Sequence, residues 1–561
     1  MKNYLFPRLV VLIIVVFYGG FSLFNYSPIE EDAFIVFKYA ENIVSGYGHV
    51  FNRGGDRIEA CSTLTWLYLL SLLHALGCSL PTTAKVLGIF LGCTSLLLVF
   101  RMTRSFTDEM PWVIFPAMLT VLTVPFLMWN QMGLETALYT VIFLSLISVC
   151  LNKSLFIYWP LAALALVTTR PEGFFILLAL IPVFYFRRDQ ERLLAYSLTA
   201  FVVALVILES LRFYYFHDFL PTAFYIKVYP TKYLLGFRYL HSFLKDYYFY
   251  FLCVPVLFFM GARWNWQEQR SILFGFIVVY LTWVVYAGEE GSKPFYRPLV
   301  PLIPVLFIYV ITGVGKACEG LNSRKKLLVG SFIAIFAFTT LFFSKNYVLY
   351  YYDVGNPITQ NVTHFFSSPY SYLKQNYDRI RNPARSGQFL VGKFIQRNYY
   401  PGTKMVYDQM GRVPYGAGSE YYFIDSWGLI DKTIGHYHFY ERSKDSILLK
   451  WYESASSFLI KRVSPEREFL YTRDDVLDYI YEQNPDVILI YGFILTGKDR
   501  FPYLLTRDKR FSDNYSLHYY IDGTLFFERQ GLSKKPLDIP DGLTVMSAQE
   551  YYASRKGRLP F

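Results

Sequence analysis

The stretch Leu9-Val-Val-Leu-Ile-Ile-Val-Val-Phe-Tyr-Gly-Gly-Phe-Ser-Leu-Phe24 is an unbroken apolar run, and Glu30-Glu31-Asp32 follows it within a few residues. With its flanks the run is long enough to cross a bilayer, at about 1.5 Å per residue against a hydrocarbon core of about 30 Å. Three carboxylates at its exit are costly in hydrocarbon unless water or a polar cavity receives them. A solvated loop would satisfy them. So would a polar site built at the lipid–water boundary.

The rest of the chain favours a membrane setting. Its 561 residues are 54% hydrophobic and 20% aromatic, which excludes an ordinary soluble single domain and suits interface belts or sugar-stacking surfaces. The net charge of +11 follows the positive-inside rule, and no basic helix or RNA-binding motif argues for nucleic acid. Of the six cysteines only Cys61 and Cys78 are placed to pair, so no disulfide framework is expected. The N-terminus does not read as a cleavable signal, because its apolar run is long and no small-x-small site follows it.

Hydropathy predicts eleven spans: 7–26, 82–100, 111–130, 134–152, 154–169, 171–186, 193–216, 246–262, 271–287, 298–315 and 327–344. The apolar segment Thr63–Leu76 is short and reads as a juxtamembrane or re-entrant helix. With the N-terminus inside, this count puts Arg101, Arg104, Lys153, Arg187, Arg188, Arg192, Arg263, Arg270 and the Arg324–Lys326 cluster in inner loops. A twelfth span at 63–76 would place most of these cations outside. The odd count sends residues 345–561 to the outer face. Two neighbouring spans, 154–169 and 171–186, abut at Thr169-Arg170-Pro171-Glu172-Gly173, and each is too short for the full core. Their outer turn is expected below the membrane surface, in a protein-lined cavity.

Two segments are therefore expected. Residues 1–344 form the membrane part, with a first outer loop at 27–78. Residues 345–561 form an extracytoplasmic α/β domain. In the latter, Ser386–Arg397 and Asp474–Glu482 read as helices, and Lys404–Tyr407, Tyr421–Ile424 and Asp486–Tyr491 as strands. Tyr515–Arg529 reads as a hairpin about Asp522-Gly523. Asn361-Val-Thr matches a glycosylation sequon of a kind common by chance.

In the first outer loop, Asp32–Val44 has helical apolar spacing, with Lys38, Glu41 and Asn42 elsewhere around the helix. This predicts an amphipathic helix lying in the interface, ended by Ser45-Gly-Tyr-Gly. A polar turn, Asn52-Arg-Gly-Gly-Asp-Arg-Ile-Glu59, follows.

Taken in order, Glu31-Asp32-Ala-Phe-Ile, Gly46-Tyr-Gly-His-Val-Phe-Asn52 and Arg57-Ile-Glu59-Ala-Cys-Ser-Thr-Leu-Thr-Trp66 resemble the opening of GT-C integral-membrane glycosyltransferases. They are similar to the mycobacterial terminal arabinofuranosyltransferase branch of these enzymes. Met132-Gly-Leu-Glu135-Thr, Thr169-Arg170-Pro-Glu172-Gly and the segment from Arg212 through Asp218 and Pro221 to Lys227 resemble later motifs of that branch. Tyr407-Asp408-Gln-Met-Gly411 and Ile424-Asp425-Ser-Trp-Gly428-Leu-Ile-Asp431 resemble its outer-domain segments. Glu31 stands where the branch has Asp, Ala60-Cys61 where it has Gly-[Tyr/Thr], and His217 where it has Gly. The resemblance therefore carries the reaction type and leaves the sugar open.

It implies a GT-C-like helical membrane protein that transfers a sugar from a polyprenyl-phosphate donor to an extracytoplasmic glycan, glycolipid or protein. The setting would be the bacterial inner membrane, among membrane lipids. Such chemistry needs a carboxylate to take the acceptor proton or stabilise an oxocarbenium-like state, and cations on the departing phosphate. Asp32 is the expected base, with Glu31 second. Lys227, Arg170, Arg212, Lys293 and Arg297 stand at outer ends or in outer loops and are the candidate phosphate ligands. Asp218 shares the Arg212–Lys227 motif. Glu59, Glu135 and Glu172 are candidates for sugar hydroxyls, though an Arg170–Glu172 ion pair fixing the turn is the plainer role for Glu172. His49 and His217 could flank a carboxylate-bound divalent cation, but hydrogen-bonded structural histidines are the commoner case and no metal ligand is expected. Trp66 and Trp129 are expected as interface anchors. A transporter or flippase for lipid-linked sugars would need the same charges, but no matching pair of hydropathy halves is visible.

Overall fold

The computed structural model describes residues 5–186, 189, 191–227, 233–249, 268–288, 294–345, 347–348, 352–353, 355–444, 447–463, 469–491 and 501–554. Ten of the eleven expected spans coincide with helices, and most of the eleventh, 246–262, lies outside the described residues. Among the described residues, four helices are long and apolar enough to cross a bilayer: Leu80–Thr103, Glu191–Phe216, Gln269–Ala287 and Ser323–Phe343. Shorter apolar helices accompany them, among them Leu9–Phe24, Met110–Val121, Thr136–Leu151 and Leu302–Ala317.

Proline sets where several of these helices stop. The span expected at 111–130 is two helices, Met110–Val121 and Val124–Trp129, because Pro125 starts the second and donates no backbone hydrogen bond to the first. The Trp159–Thr169 helix ends before Pro171, which bars Arg170 from the α region; Arg170 is extended at φ −151°, ψ 136°. Close packing uses small residues. On Leu80–Thr103, an added Cβ at Gly88 would lie 2.0 Å from the Asn130 carbonyl oxygen, and one at Gly92 would lie 2.1 Å from the Tyr18 hydroxyl. This small-x-x-x-small face lets the first helix and the 124–130 segment approach to backbone contact, where dispersion and hydrogen bonding drive association in lipid. Asn130 Nδ2 donates to Tyr18 Oη at 3.0 Å across the same junction.

The first loop departs from the expected interfacial helix. Glu31–Val44 is buried on nearly every side, and Lys38 and Asn42 are buried with it. The cover comes from the C-terminal part of the chain: the Tyr415 ring packs at an angle against Phe34 and Phe37, with ring centroids 5.4 and 5.9 Å away. Lys38 Nζ donates to the Pro414 and Gly418 carbonyls, both at 3.2 Å. A polar residue assigned to solvent by its helical position is thus spent on a domain contact. Leu64–Ala75 is a short helix packed on Glu31–Val44.

Elements of the C-terminal part form a six-stranded sheet: β1 (Lys404–Tyr407), β2 (Tyr422–Asp425), β3 (Val487–Tyr491), β4 (Tyr515–Ile521), β5 (Thr524–Arg529) and β6 (Val545–Ser547). The order is β2-β1-β3-β5-β4-β6, parallel across β2, β1 and β3 and antiparallel beyond. Asp522 (φ 45°) and Gly523 (φ 82°) make the hairpin turn, both in the left-handed region it requires. Period-two alternation divides the sheet. Met405, Tyr407, Phe423, Val487, Leu489 and Phe526 face a core continuous with the membrane helices, while Val406, Ile424, Ile488, Ile490, Leu525 and Phe527 build a core of their own. The edge strand β2 is closed by a side chain: Asn52 Nδ2 donates to the Phe423 carbonyl at 2.8 Å, and the Phe423 N–H donates to Asn52 Oδ1 at 3.0 Å. That pairing blunts an open edge and ties it to the first loop.

Cys61 and Cys78 are free thiols, the first buried and the second exposed, so the one pairing open to the sequence is not made. Trp66 and Trp129 are fully buried rather than anchored at an interface, with indole N–H groups donating to the Gly133 and Phe295 carbonyls, each at 3.1 Å.

Candidate active site

Three segments distant in sequence meet at the start of the Glu31–Val44 helix. Lys85, from the second long helix, is buried and donates to the carbonyls of Ser27 and of Gln131, the latter at 3.0 Å. The Glu30 N–H donates to the Met132 carbonyl at 3.0 Å. These contacts set the carboxylate loop beside Met132-Gly-Leu-Glu135. Gly133 turns that segment at φ +83°, a conformation costly for a side-chain-bearing residue, and sits against Ile29 and Ala33. Asp32, half-buried, lies in the first turn of its helix, where the unpaired N–H groups and the helix dipole favour a carboxylate.

Glu135 is 1% exposed at the side chain and accepts from two guanidiniums: Arg170 Nη1 at 2.6 Å and Arg297 Nη2 at 2.5 Å. Arg170 also pairs through Nε with Glu172, the ion pair expected to fix the turn. Arg297 Nε reaches Thr136 Oγ1 at 3.3 Å, and its guanidinium stands 5.3 Å from the Trp129 ring. Two positive and two negative charges thus share one partly buried cluster. It is not saturated. Among the described residues, Glu135 Oε2 and the Tyr139 hydroxyl are buried without a hydrogen-bond partner, and neither Arg170 Nη2 nor Arg297 Nη1 makes a hydrogen bond to protein. The extended backbone at Arg170, forced by Pro171, is what lets its side chain reach Glu135 from the neighbouring helix.

Other candidate residues lie in separate networks. Arg212 is bracketed by Glu59 (Nε to Oε2, 2.8 Å) and Glu209 (Nη1 to Oε1, 2.6 Å), which locks the polar turn of the first loop to the Glu191–Phe216 helix. Asp218 is buried between Tyr225, whose hydroxyl donates at 2.5 Å, and His436 Nε2 at 3.0 Å, so it joins the Thr222–Lys227 helix to the outer helix Lys432–Ser443. Lys227 is exposed at the end of the Thr222–Lys227 helix. Lys293 lies outside the described residues. His49 packs between Tyr39 and Phe216, with Nδ1 3.4 Å from the Tyr68 hydroxyl, and burial drives its pKa down to about 4. His217 stands at φ +53°, the left-handed conformation its glycine counterpart would adopt freely.

Glu31 turns toward the outer domain. Its carboxylate accepts from the Arg412 backbone N–H at 2.8 Å and lies 3.3 Å from Arg412 Nη1. Burial raises its pKa to about 6 against the opposing pull of Arg412. Sequence reading passed over Arg412. The signal available was its place directly after the Tyr407–Gly411 motif.

Among solved structures, the fold matches ArnT from Cupriavidus metallidurans in the apo state, at TM-score 0.52 and 12% identity over 93% of this chain and 97% of that one. The same enzyme bound to undecaprenyl phosphate gives 0.50 and 11% over the same shares. An Archaeoglobus fulgidus oligosaccharyltransferase tethered to an acceptor peptide gives 0.47 and 11%, over all of this chain and 78% of that one. A family described as a domain of unknown function (DUF8728) matches residues 375–537. A comparison with curated proteins returns no match. The chain is a multi-pass membrane protein with the GT-C fold, the fold of membrane glycosyltransferases such as ArnT.

Proposed function

We propose that the chain is a glycosyltransferase of the bacterial inner membrane, using a polyprenyl-phosphate sugar and an extracytoplasmic glycan, glycolipid or protein acceptor. Residues 345–561 would then stand outside the cytoplasm. The observation that carries this reading is the junction of the Glu30–Asp32 loop with the Glu135–Arg170–Arg297 cluster, through the Glu30 to Met132 hydrogen bond. It joins the loop that carries a candidate base to the segment that carries Glu135, whose two guanidinium partners each keep a nitrogen without a hydrogen bond among the described residues. Motif likeness favours the terminal arabinofuranosyltransferase branch for the plan of the site and leaves the sugar open.

In this mechanism Asp32 accepts the proton of the acceptor hydroxyl as its oxygen bonds the anomeric carbon. The bond from that carbon to the phosphate oxygen breaks, and the phosphate keeps the electron pair. Arg170 Nη2 and Arg297 Nη1 donate to the charge that develops on it, with Lys227 as a further cation. Glu135 holds both guanidiniums in register without consuming them. Glu59, Arg212 and Asp218 stand in separate networks and hold the first loop and the Thr222–Lys227 helix to their neighbours.

The test compares membranes from a gene deletion and from cells producing wild type, Asp32→Asn and Glu31→Gln, with polyprenyl-phosphate sugars and surface glycans read by mass spectrometry. Asp32→Asn is expected to accumulate one lipid-linked sugar and to lose one glycan residue, with normal membrane insertion. An intact glycan in Asp32→Asn, alongside its loss in the deletion, would overturn Asp32 as the base and move a transporter role ahead.

A further inference from the structure

The outer domain reaches the carboxylate loop at one point, and the contact is built from several independent parts. The Arg412 N–H and guanidinium both engage Glu31, at 2.8 and 3.3 Å. Arg412 Nη2 also donates to the Ile29 carbonyl at 2.5 Å. The approach depends on the residue before it: a Cβ at Gly411 would lie 2.2 Å from the Glu31 carbonyl oxygen and 2.5 Å from Oε1. Arg412 opens the Arg412–Ala417 helix, whose Pro414 and Tyr415 seat Lys38, Phe34 and Phe37 one to two turns further along the first-loop helix. Residues 29 and 31 are held from the outer domain, and residue 30 is held from the membrane side through Met132. Asp32 is the next residue in the chain.

We propose that Arg412 is a positioning residue: the outer domain, through the Gly411-Arg412 clamp on Ile29 and Glu31, sets the placement and charge of the carboxylate pair at the active site. This rests on the transferase reading above. It makes the membrane part alone an incomplete enzyme. It also gives acceptor contact on the outer domain a physical route to the reacting centre. The groups facing Glu31 are Glu30 and Asp32 on its own segment, Arg412, and Tyr407 and Tyr491 from the outer sheet. Arg412 is the cation among these. Without it, the like charges of Glu30 and Asp32 and the burial of Glu31 all push Glu31 toward the protonated form.

The experiment uses the full-length protein in detergent with lipid-linked sugar extracted from the deletion strain as donor. It compares wild type, Arg412→Met, Arg412→Lys, Gly411→Ala and, as a control on the same domain, Arg397→Gln, whose ion pair with Asp538 is exposed. Turnover by Arg412→Met should fall about 10²-fold, the scale of a misplacement near 1 Å, with donor KM within about twofold. The acidic limb of its pH–rate profile should move upward. Arg412→Lys should restore part of both, and Gly411→Ala should resemble Arg412→Met. Adding Arg412→Met to Glu31→Gln should cost little more than Glu31→Gln alone. The proposal is overturned if Arg412→Met keeps wild-type turnover and pH profile, or if its loss adds fully to that of Glu31→Gln. Failure of the underlying reading looks different: the deletion strain would then accumulate no lipid-linked sugar. Limited proteolysis of each variant separates loss of the clamp from loss of folding, because an unfolded outer domain would be cut throughout 345–561.

Discussion

Removing the Glu135 carboxylate leaves Arg170 and Arg297 sharing one remaining counter-charge, Glu172. The cluster goes from two charges of each sign to a net positive charge in a site where the arginines are only 20% and 14% exposed. Two charge-assisted hydrogen bonds at 2.6 and 2.5 Å are lost with it. Each is worth about 1.5–3 kcal/mol, and breaking one partner out of a buried ion pair costs about 3–5 kcal/mol. Glu135→Ala should therefore destabilise the protein by about 3–5 kcal/mol, equivalent to roughly 6–10 °C in detergent melting at about 2 °C per kcal/mol. Glu135→Gln is the discriminating variant. Glu135 Oε1 takes both guanidiniums while Oε2 has no partner, so a glutamine can keep its oxygen on the arginines and turn its NH₂ into the empty position. It loses charge but not geometry, and should cost about half as much. The assay is thermal unfolding followed by size-exclusion chromatography, with and without a polyprenyl phosphate. At a hundredfold over its Kd the lipid adds about 2.7 kcal/mol to wild type. The variants should lose most of that gain, because the arginines it would bind are no longer held in register. Equal melting of Glu135→Ala and wild type would refute the account of the cluster as a coupled, buried unit. An unchanged lipid shift in both variants would refute the placement of the phosphate.

Two further outcomes follow from the packing. Lys38 is buried, with hydrogen bonds to two carbonyls and its ammonium over the Phe51 and Phe423 rings, and burial lowers its pKa to about 7, so the folded protein holds fewer protons there than the unfolded chain between about pH 7 and the ordinary lysine value near 10.5. Stability should rise with pH across that window, by at most about 1.4 kcal/mol per unit, and Lys38→Met should flatten the slope seen in urea melts of the full-length protein; an unchanged slope would show that Lys38 is not its source. Gly88→Ala should lose about 1–3 kcal/mol or fail to insert, since the methyl meets the Asn130 backbone, whereas Gly19→Ala, with open space around it, should insert and melt as wild type does.

The elements legible in the sequence are those fixed by local physics. Apolar run length marks the helices, Pro171 marks the stop between two of them, and Asp522-Gly523 marks the C-terminal hairpin, whereas the stop at Pro125 is missed inside the expected span 111–130. Arg170 and Arg297 read as phosphate ligands and Glu135 as a ligand of sugar hydroxyls; that the two guanidiniums share Glu135 depends on how the helices pack. What was hidden depends on contacts across hundreds of residues. Glu59 meets Arg212 at a separation of 153 residues, and Arg412 meets Glu31 at 381. Lys38 and Asn42 looked like a solvent face because helical periodicity reports only that a residue is polar. It does not report whether water or a second domain covers it. Asp218 read as part of the motif ending at Lys227, yet its partner is His436, which no local pattern could supply.

The first outer loop explains why these two classes of contact coexist. Its helix cannot be stable alone: 14 residues with both faces apolar would expose too much surface, and isolated helices of that length are marginal in water. It is ordered only by being filled from both sides, with Lys85 and Met132 below and Tyr415, Arg412 and the β2 edge above. A carboxylate pair placed at the start of such a helix inherits its position from both bodies at once. That arrangement suits a reaction whose donor arrives within the membrane and whose acceptor arrives from outside it. On the proposed reading the catalytic group is fixed where the two routes meet, and a change on either side is expected to be felt at Glu31 and Asp32.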